Sequence, residues 1–241
     1  MNDTGAADVE KDAPGRRFEI TGKRRAMKIL PVGLLIEDRL CVVVGGGNVA
    51  TPKAAKLLEA GAKVKVVAEE FTDDLAALEG IERVLGSYDK HHLEGAVVVI
   101  AATDDPETNA GVARDAKAIG ALVNVVDTPE LCEFIFPAVS RKGDVSVAIS
   151  TGGASPALAR RLKEEIDSSI DDAYGQLAAV LKEVRQRAID GLPDAERRRA
   201  FFENLASDEF LEFMRENGPE NAATEAAQRL EREMAACDGE G

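Results

Sequence analysis

The chain is short of the residues that staple, ligate or span. Its three cysteines, Cys41, Cys132 and Cys237, are odd in number, far apart and never in C-x-x-C pairs. That pattern implies neither a disulfide framework nor a zinc site, and it fits a reducing cytosol, so a cytoplasmic location is expected. The only histidines, His91 and His92, are adjacent. Neighbouring residues on a strand or helix point in different directions, so they make a poor metal pair; a solvated loop is the expectation, and no metal ligand is read. No run approaches the ~20 apolar residues of a membrane-spanning helix, so no membrane partner is expected. Basic residues are outnumbered, 30 Lys and Arg against 44 Asp and Glu, for a formal charge of −14. Neutralising phosphates takes clustered Lys and Arg, which argues against nucleic acid as a partner. There is no tryptophan. Residues 1–26 are polar and charged with no apolar h-region. They read as a flexible N-terminal extension rather than a secretory signal, with Met27 opening the first ordered-looking segment.

What is present is a glycine turn. Cys41-Val42-Val43-Val44 can form a buried strand, and it runs straight into Gly45-Gly46-Gly47-Asn48-Val49-Ala50. Gly45, Gly47 and Ala50 fall on the dinucleotide spacing G-x-G-x-x-G/A. The first small residue permits the tight turn, the second lets backbone approach a pyrophosphate, and the third lets helix pack on strand. The helix opened here offers unpaired N–H groups and partial positive charge to phosphates. Gly45, Gly46, Gly47, Asn48 and Val49 are therefore the expected cofactor-binding turn.

The surroundings supply the βαβ setting that such a turn requires. A helical pattern over 53–60 ends at Gly61, and 63–68 reads as a second strand. A short helix near 72–79 and a weak strand at 81–85 follow. The continuously apolar 96–101 suits a strand covered on both faces. A helix over 106–119, capped by Asp104 or Asp105, precedes a strand over 122–126. The alternation predicts an α/β fold with a parallel, Rossmann-type sheet. After Glu133 the pattern changes: 134–140 and 145–150 read as two strands, Ser155-Pro156 as a helix start, and everything beyond as charged helix. The later aromatics, among them Phe201, Phe202 and Phe210, read as helix-packing core.

Ligands in open α/β sheets lie outside the carboxyl ends of the strands. Glu69, 22 residues beyond Gly47, stands where an acid bonds the cofactor ribose, and its charge would repel a 2′-phosphate and favour NAD. A solvated strand-end acid is the plain alternative. Thr103, Asp104 and Asn109 follow a central strand and are cofactor-side candidates. Asp127 closes Asn124-Val125-Val126 at another strand end, where a carboxylate can serve as acid or base or simply cap a loop.

Together these stretches resemble the precorrin-2 dehydrogenase family, the siroheme synthase N-terminal domain, over residues 28–165. The resemblance rests on Leu30-Pro31-Val32 with Gly33-Leu34, the segment 42–50, Leu57-Leu58-Glu59-Ala60-Gly61-Ala62 and Ala101-Ala102-Thr103-Asp104. It continues through Asn124-Val125-Val126-Asp127, Phe134-Ile135-Phe136-Pro137-Ala138 and the segment 150–159. It implies NAD-dependent oxidation of precorrin-2, an octacarboxylate tetrapyrrole, to sirohydrochlorin, with Asp127 as the candidate acid/base. It also implies an NAD-binding Rossmann domain over 27–137, a dimerisation region over 138–165, a helical C-terminal domain over 166–241, and a homodimer. Some members also insert ferrous iron, so a bifunctional dehydrogenase and ferrochelatase is the alternative, and a non-catalytic NAD-binding module a distant third. The substrate's carboxylates need a local basic patch in so acidic a chain. Thr151, Gly152, Gly153 and Ser155 at a helix N-terminus, with Arg160 and Arg161 beside them and Arg141, Lys142 and Lys163 close in sequence, are the expected holders. Two departures stand out: Pro52-Lys53 replaces the family's usual Arg-Lys, and Glu69 replaces its usual Pro.

Overall fold

The computed structural model describes residues 27–238; the extension expected over 1–26 lies outside the described residues. The described residues open with irregular backbone and then build β1 (Leu40–Val44), α1 (Ala50–Glu59), β2 (Lys63–Ala68), α2 (Asp73–Ala77), β3 (Ile81–Leu85), β4 (Val98–Ala101), α3 (Pro106–Ala118) and β5 (Leu122–Val125). The five strands form one parallel sheet in the order β3-β2-β1-β4-β5. This is the Rossmann-type sheet that the alternation predicts. The order reverses between β1 and β4, which places the crevice at their carboxyl ends.

The unbroken valine run of β1 follows from burial on both faces. Cys41 and Val43 pack in the core shared with Ala50, Ala54 and Leu57 of α1. Val42 and Val44 face the opposite core, with Val112, Ala113 and Ala116 of α3. Each fully buried valine contributes on the order of 1.5–3 kcal/mol. Gly61, at φ +77, ends α1: its N–H bonds the carbonyl of Leu58, and that of Ala62 bonds the carbonyl of Leu57. α1 starts three residues ahead of the predicted 53–60, so Pro52 lies within its first turn, where no intrahelical N–H is required. Asp105 caps α3, its carboxylate accepting the N–H groups of Glu107 and Thr108 at 3.2 and 2.9 Å.

The strand expected over 134–140 is displaced. The hairpin is β6 (Ala138–Lys142) with β7 (Val145–Ile149), paired antiparallel. Phe134 and Phe136 belong instead to a non-strand segment that packs against the α1-side core, their rings edge-on at 5.3 Å. Asn124 Nδ2 pins that segment by donating to the Phe134 carbonyl at 3.0 Å.

α4 (Pro156–Ser169), capped by Ser155, packs against the hairpin without fully burying any residue. α5 (Asp172–Gly191), α6 (Ala195–Leu205), α7 (Asp208–Asn217) and α8 (Pro219–Asp238) form a bundle around Leu177, Val180, Phe201, Phe210, Met214 and Leu230. Gly175 joins the bundle to the hairpin: a Cβ there would lie 2.5 Å from the carbonyl oxygen of Lys142. Ion pairs flank the contact, Lys142 with Asp172 at 3.3 Å and Lys182 with Asp144 at 3.2 Å. Among the described residues no helix is long and apolar enough to cross a membrane.

Candidate dinucleotide site and its neighbours

A cleft of about 780 Å³ opens at the carboxyl ends of β1, β2 and β4. Its walls come from residues 45–47, 67–72, 86–88 and 102–105, with Thr108. The glycine turn forms one side. Gly45, at φ +123, donates its N–H to Val67 O at 2.8 Å, and a Cβ on it would lie 2.2 Å from Ala102 O. A Cβ on Gly46 would lie 1.9 Å from Glu70 O. Neither position accepts a side chain without moving backbone. Gly47 differs: nothing lies within 4 Å of its Cβ position. The requirement for glycine there is not set by the protein's own atoms.

The N–H groups of Gly46, Gly47, Asn48 and Val49 have no protein acceptor among the described residues, whereas those of Ala50 and Thr51 turn back to Gly47 O. Free amides at the head of a ten-residue helix fit a diphosphate. Asn48 and Val49 offer the turn their backbone amides alone, since their side chains are exposed and outside the cleft wall.

Glu69 is the first residue past β2, lines the cleft and accepts a hydrogen bond from Ser87 Oγ at 2.8 Å. Ser87 and Tyr88, at the end of β3, complete that wall. Sequence reasoning missed them, although the parallel register of Ala68 with Leu85 brings the two strand ends together. Thr103 and Asp104 also line the cleft. Asn109 does not: it is buried, its Oδ1 accepting from Thr103 N–H and Oγ at 3.1 and 2.8 Å, its Nδ2 donating to Thr103 O at 2.9 Å. Its amide is taken up in shaping the Thr103 turn, so what it offers the cleft is support for Thr103.

Asp127 lies outside the cleft wall and holds an unusual backbone, φ +56. Ala101 of β4 pairs with Val125 of β5, so Thr103 and Asp127 each stand two residues beyond adjacent paired positions. The carboxylate is exposed. Across from it is Lys53, which sequence reasoning did not select. Its Nζ sits 4.1 Å from the centroid of the Phe136 ring, and the nearby Asp127 carboxylate partly offsets the burial of its ammonium. Burial, reinforced by the nearby charge of Lys56, holds its pKa below the ordinary lysine range.

The second glycine segment is not on the cleft. Thr151 Oγ1 donates to Ser155 O at 3.1 Å and accepts Ser155 N–H at 3.2 Å, while Ser155 Oγ accepts Leu158 N–H at 3.2 Å. Ser155 thus caps α4, and the Thr151 hydroxyl braces the cap residue. Gly152 O accepts the N–H of Met27 at 3.4 Å, and a Cβ on Gly153 would lie 2.6 Å from Met27 Cε. Met27 in turn lines a smaller cavity of about 430 Å³ with Pro129, Cys132 and Phe134, so the two regions meet through it. The basic patch is largely neutralised at home: Arg161 bonds Glu165 at 3.0 Å, Lys163 pairs with Asp167, and Lys142 pairs with Asp172. Arg160 is exposed on α4. The histidines close a single 3-10 turn, His92 Nδ1 accepting the N–H of Asp89 at 3.0 Å. Among the described residues no group of three or more His, Cys, Asp or Glu is placed to hold a metal ion.

Three family profiles match the chain in sequence order. An NAD(P)-binding profile covers residues 32–138, a sirohaem biosynthesis protein central profile 142–169, and a sirohaem synthase dimerisation region 173–230. The dimerisation label falls on the helices, whereas the sequence reading set it on 138–165. A siroheme synthase of Methylobacillus flagellatus is 42% identical over 85% of this chain and 44% of its own length. One of Pseudomonas aeruginosa is 41% identical over 87% and 45%. The chain therefore spans less than half the length of these relatives. Among solved structures, "SirC, precorrin-2 dehydrogenase" superimposes with a TM-score of 0.69 at 26% identity, covering 85% of this chain and all of that one.

Proposed function

Since the chain belongs to the family of precorrin-2 dehydrogenases and siroheme synthase N-terminal regions, we propose that it oxidises precorrin-2 to sirohydrochlorin with NAD+. The observation that carries this reading is the placement of Asp127 one strand over from Thr103, beside a cleft whose glycine turn presents four unsatisfied amides.

Bound NAD+ supplies the hydride acceptor. The amides of 46–49 hold its diphosphate, and Glu69 takes the ribose hydroxyls while repelling a 2′-phosphate. Thr103, locked by Asn109, shapes the crevice where the two ring systems meet. Asp127 accepts the proton released as the macrocycle loses hydride; its exposed carboxylate is available as a base. A homodimer is supported by the dimerisation profile and by the hairpin, whose strands are only half-buried within one chain.

The test is Asp127→Asn, because Asn tolerates the left-handed backbone that Ala would strain by roughly 1–2 kcal/mol. NADH formation from precorrin-2 should fall about 10²- to 10⁴-fold, the usual worth of a positioned acid or base, with NAD+ affinity unchanged. Undiminished turnover would remove Asp127 from the chemistry. A native chain that forms no NADH from precorrin-2 would sink the dehydrogenase reading itself. Repeating the assay with ferrous or cobalt ions reads metal insertion as a metal-dependent spectral shift.

A further inference from the structure

We propose that Lys53 anchors a carboxylate arm of the substrate and so sets the macrocycle over Asp127, an inference that rests on the dehydrogenase reading for the identity of the anion. The residue is held rather than free. Its ammonium lies 4.1 Å from the Phe136 ring centroid, and that ring is braced edge-on by Phe134, whose carbonyl is tied to Asn124. Cation–π contact fixes an ammonium without neutralising it.

Neutralisation is what Lys53 lacks. It has no carboxylate within 4.0 Å among the described residues, while Lys63, Lys65, Lys142, Lys163 and Lys182 each have one. Lys56 shares the same ring at 5.7 Å and adds a second positive charge rather than a counter-ion. In a chain of formal charge −14, two cations over one aromatic face with no acid in contact form a local site for an anion. A half-buried ammonium gains more from an incoming carboxylate than a surface one, because less water screens the pair.

The cofactor could supply an anion too, through its diphosphate. The geometry favours the substrate: Lys53 is absent from the cleft wall, and its Nζ turns to the segment that follows β5, on the side of Asp127. A tetrapyrrole placed over Asp127 brings carboxylate arms to that side. Lys53 is thus a positioning residue, separate from proton transfer.

The experiment uses the native chain, Lys53→Gln, Lys53→Met and Lys53→Arg. Binding of uroporphyrin, an unreactive octacarboxylate, is followed by fluorescence, NAD+ binding by calorimetry, and turnover with precorrin-2. Both neutral variants should bind uroporphyrin at least tenfold more weakly and raise KM for precorrin-2 similarly, with kcat within threefold and NAD+ affinity within twofold. Arg should restore binding to within threefold. Methionine keeps the apolar contact with Phe136, so agreement between Gln and Met separates lost charge from lost packing. The proposal is overturned if the native chain does not bind uroporphyrin, if the neutral variants bind it as the native chain does, or if NAD+ affinity falls instead. A native chain that shows Lys53-dependent porphyrin binding without forming NADH would refute the dehydrogenase reading and leave the anchor standing.

Discussion

Gly46 and Gly47 are neighbours in one turn, yet the structure predicts opposite consequences for the same substitution. In Gly46→Ala the new methyl would meet Glu70 O at 1.9 Å and Ala68 Cβ at 2.8 Å. Neither is the far end of a flexible side chain, so backbone must shift at a cost of about 1–3 kcal/mol. For a chain of this size that lowers Tm by about 2–12 °C. In Gly47→Ala the methyl meets nothing within 4 Å and no left-handed φ stands in its way. The free protein should melt no lower than the native one, and restricting the unfolded chain adds roughly 0.4–1 kcal/mol of stability. NAD+ is a different matter, because the open space at Gly47 is where we propose that the diphosphate approaches. An intruding methyl there costs a comparable 1–3 kcal/mol of binding, a rise in Kd of roughly 5- to 150-fold. Thermal unfolding without ligand and calorimetric titration with NAD+ separate the two effects. A Gly47→Ala protein that binds NAD+ like the native chain would refute the placement of the diphosphate, and a Gly46→Ala protein with native Tm would refute the packing argument.

Three further outcomes follow from single groups. Glu69→Gln should lower the preference for NAD+ over NADP+ at least tenfold in Kd ratio; an unchanged ratio would mean that Glu69 does not face the ribose. Cys41 is fully buried, and burial pushes its thiol up to about 11 from 9.0. The unfolded chain therefore ionises this thiol first, so stability should fall as pH climbs from about 9 toward 11, more steeply in the native protein than in Cys41→Ala. At pH 8 a thiol reagent mapped by mass spectrometry should modify the half-buried Cys132 ahead of Cys41. Matching pH slopes, or equal labelling, would contradict that burial.

The elements that were legible share one property: their signals are local. The valine run, the glycine turn, Asp105 before Pro106 and Ser155 before Pro156 each act within a few residues through backbone sterics or capping bonds. The strand expected over 134–140 failed because its apolar residues serve another layer. Phe134 and Phe136 look like strand residues in sequence, but Asn124 captures the Phe134 carbonyl and the rings pack against the α1-side core. Asn109 shows a related limit: it is buried behind the cleft wall with its amide spent on Thr103, and nothing in the spacing of two polar residues reveals which one faces outward. The 151–155 segment reads correctly as a helix start, while its hydroxyls prove to be engaged in the cap itself.

The glycine spacing, the alternation of strand and helix, and the acid at the end of β2 were enough to specify a parallel sheet with a dinucleotide turn, because each depends on backbone geometry over a few residues. Folding alone decided the rest. It set Ser87 against Glu69, brought Thr103 and Asp127 to neighbouring strand ends, and laid the ammonium of Lys53 on Phe136. Those pairings join side chains far apart in the chain. They are decided by strand order and register, which no local preference encodes.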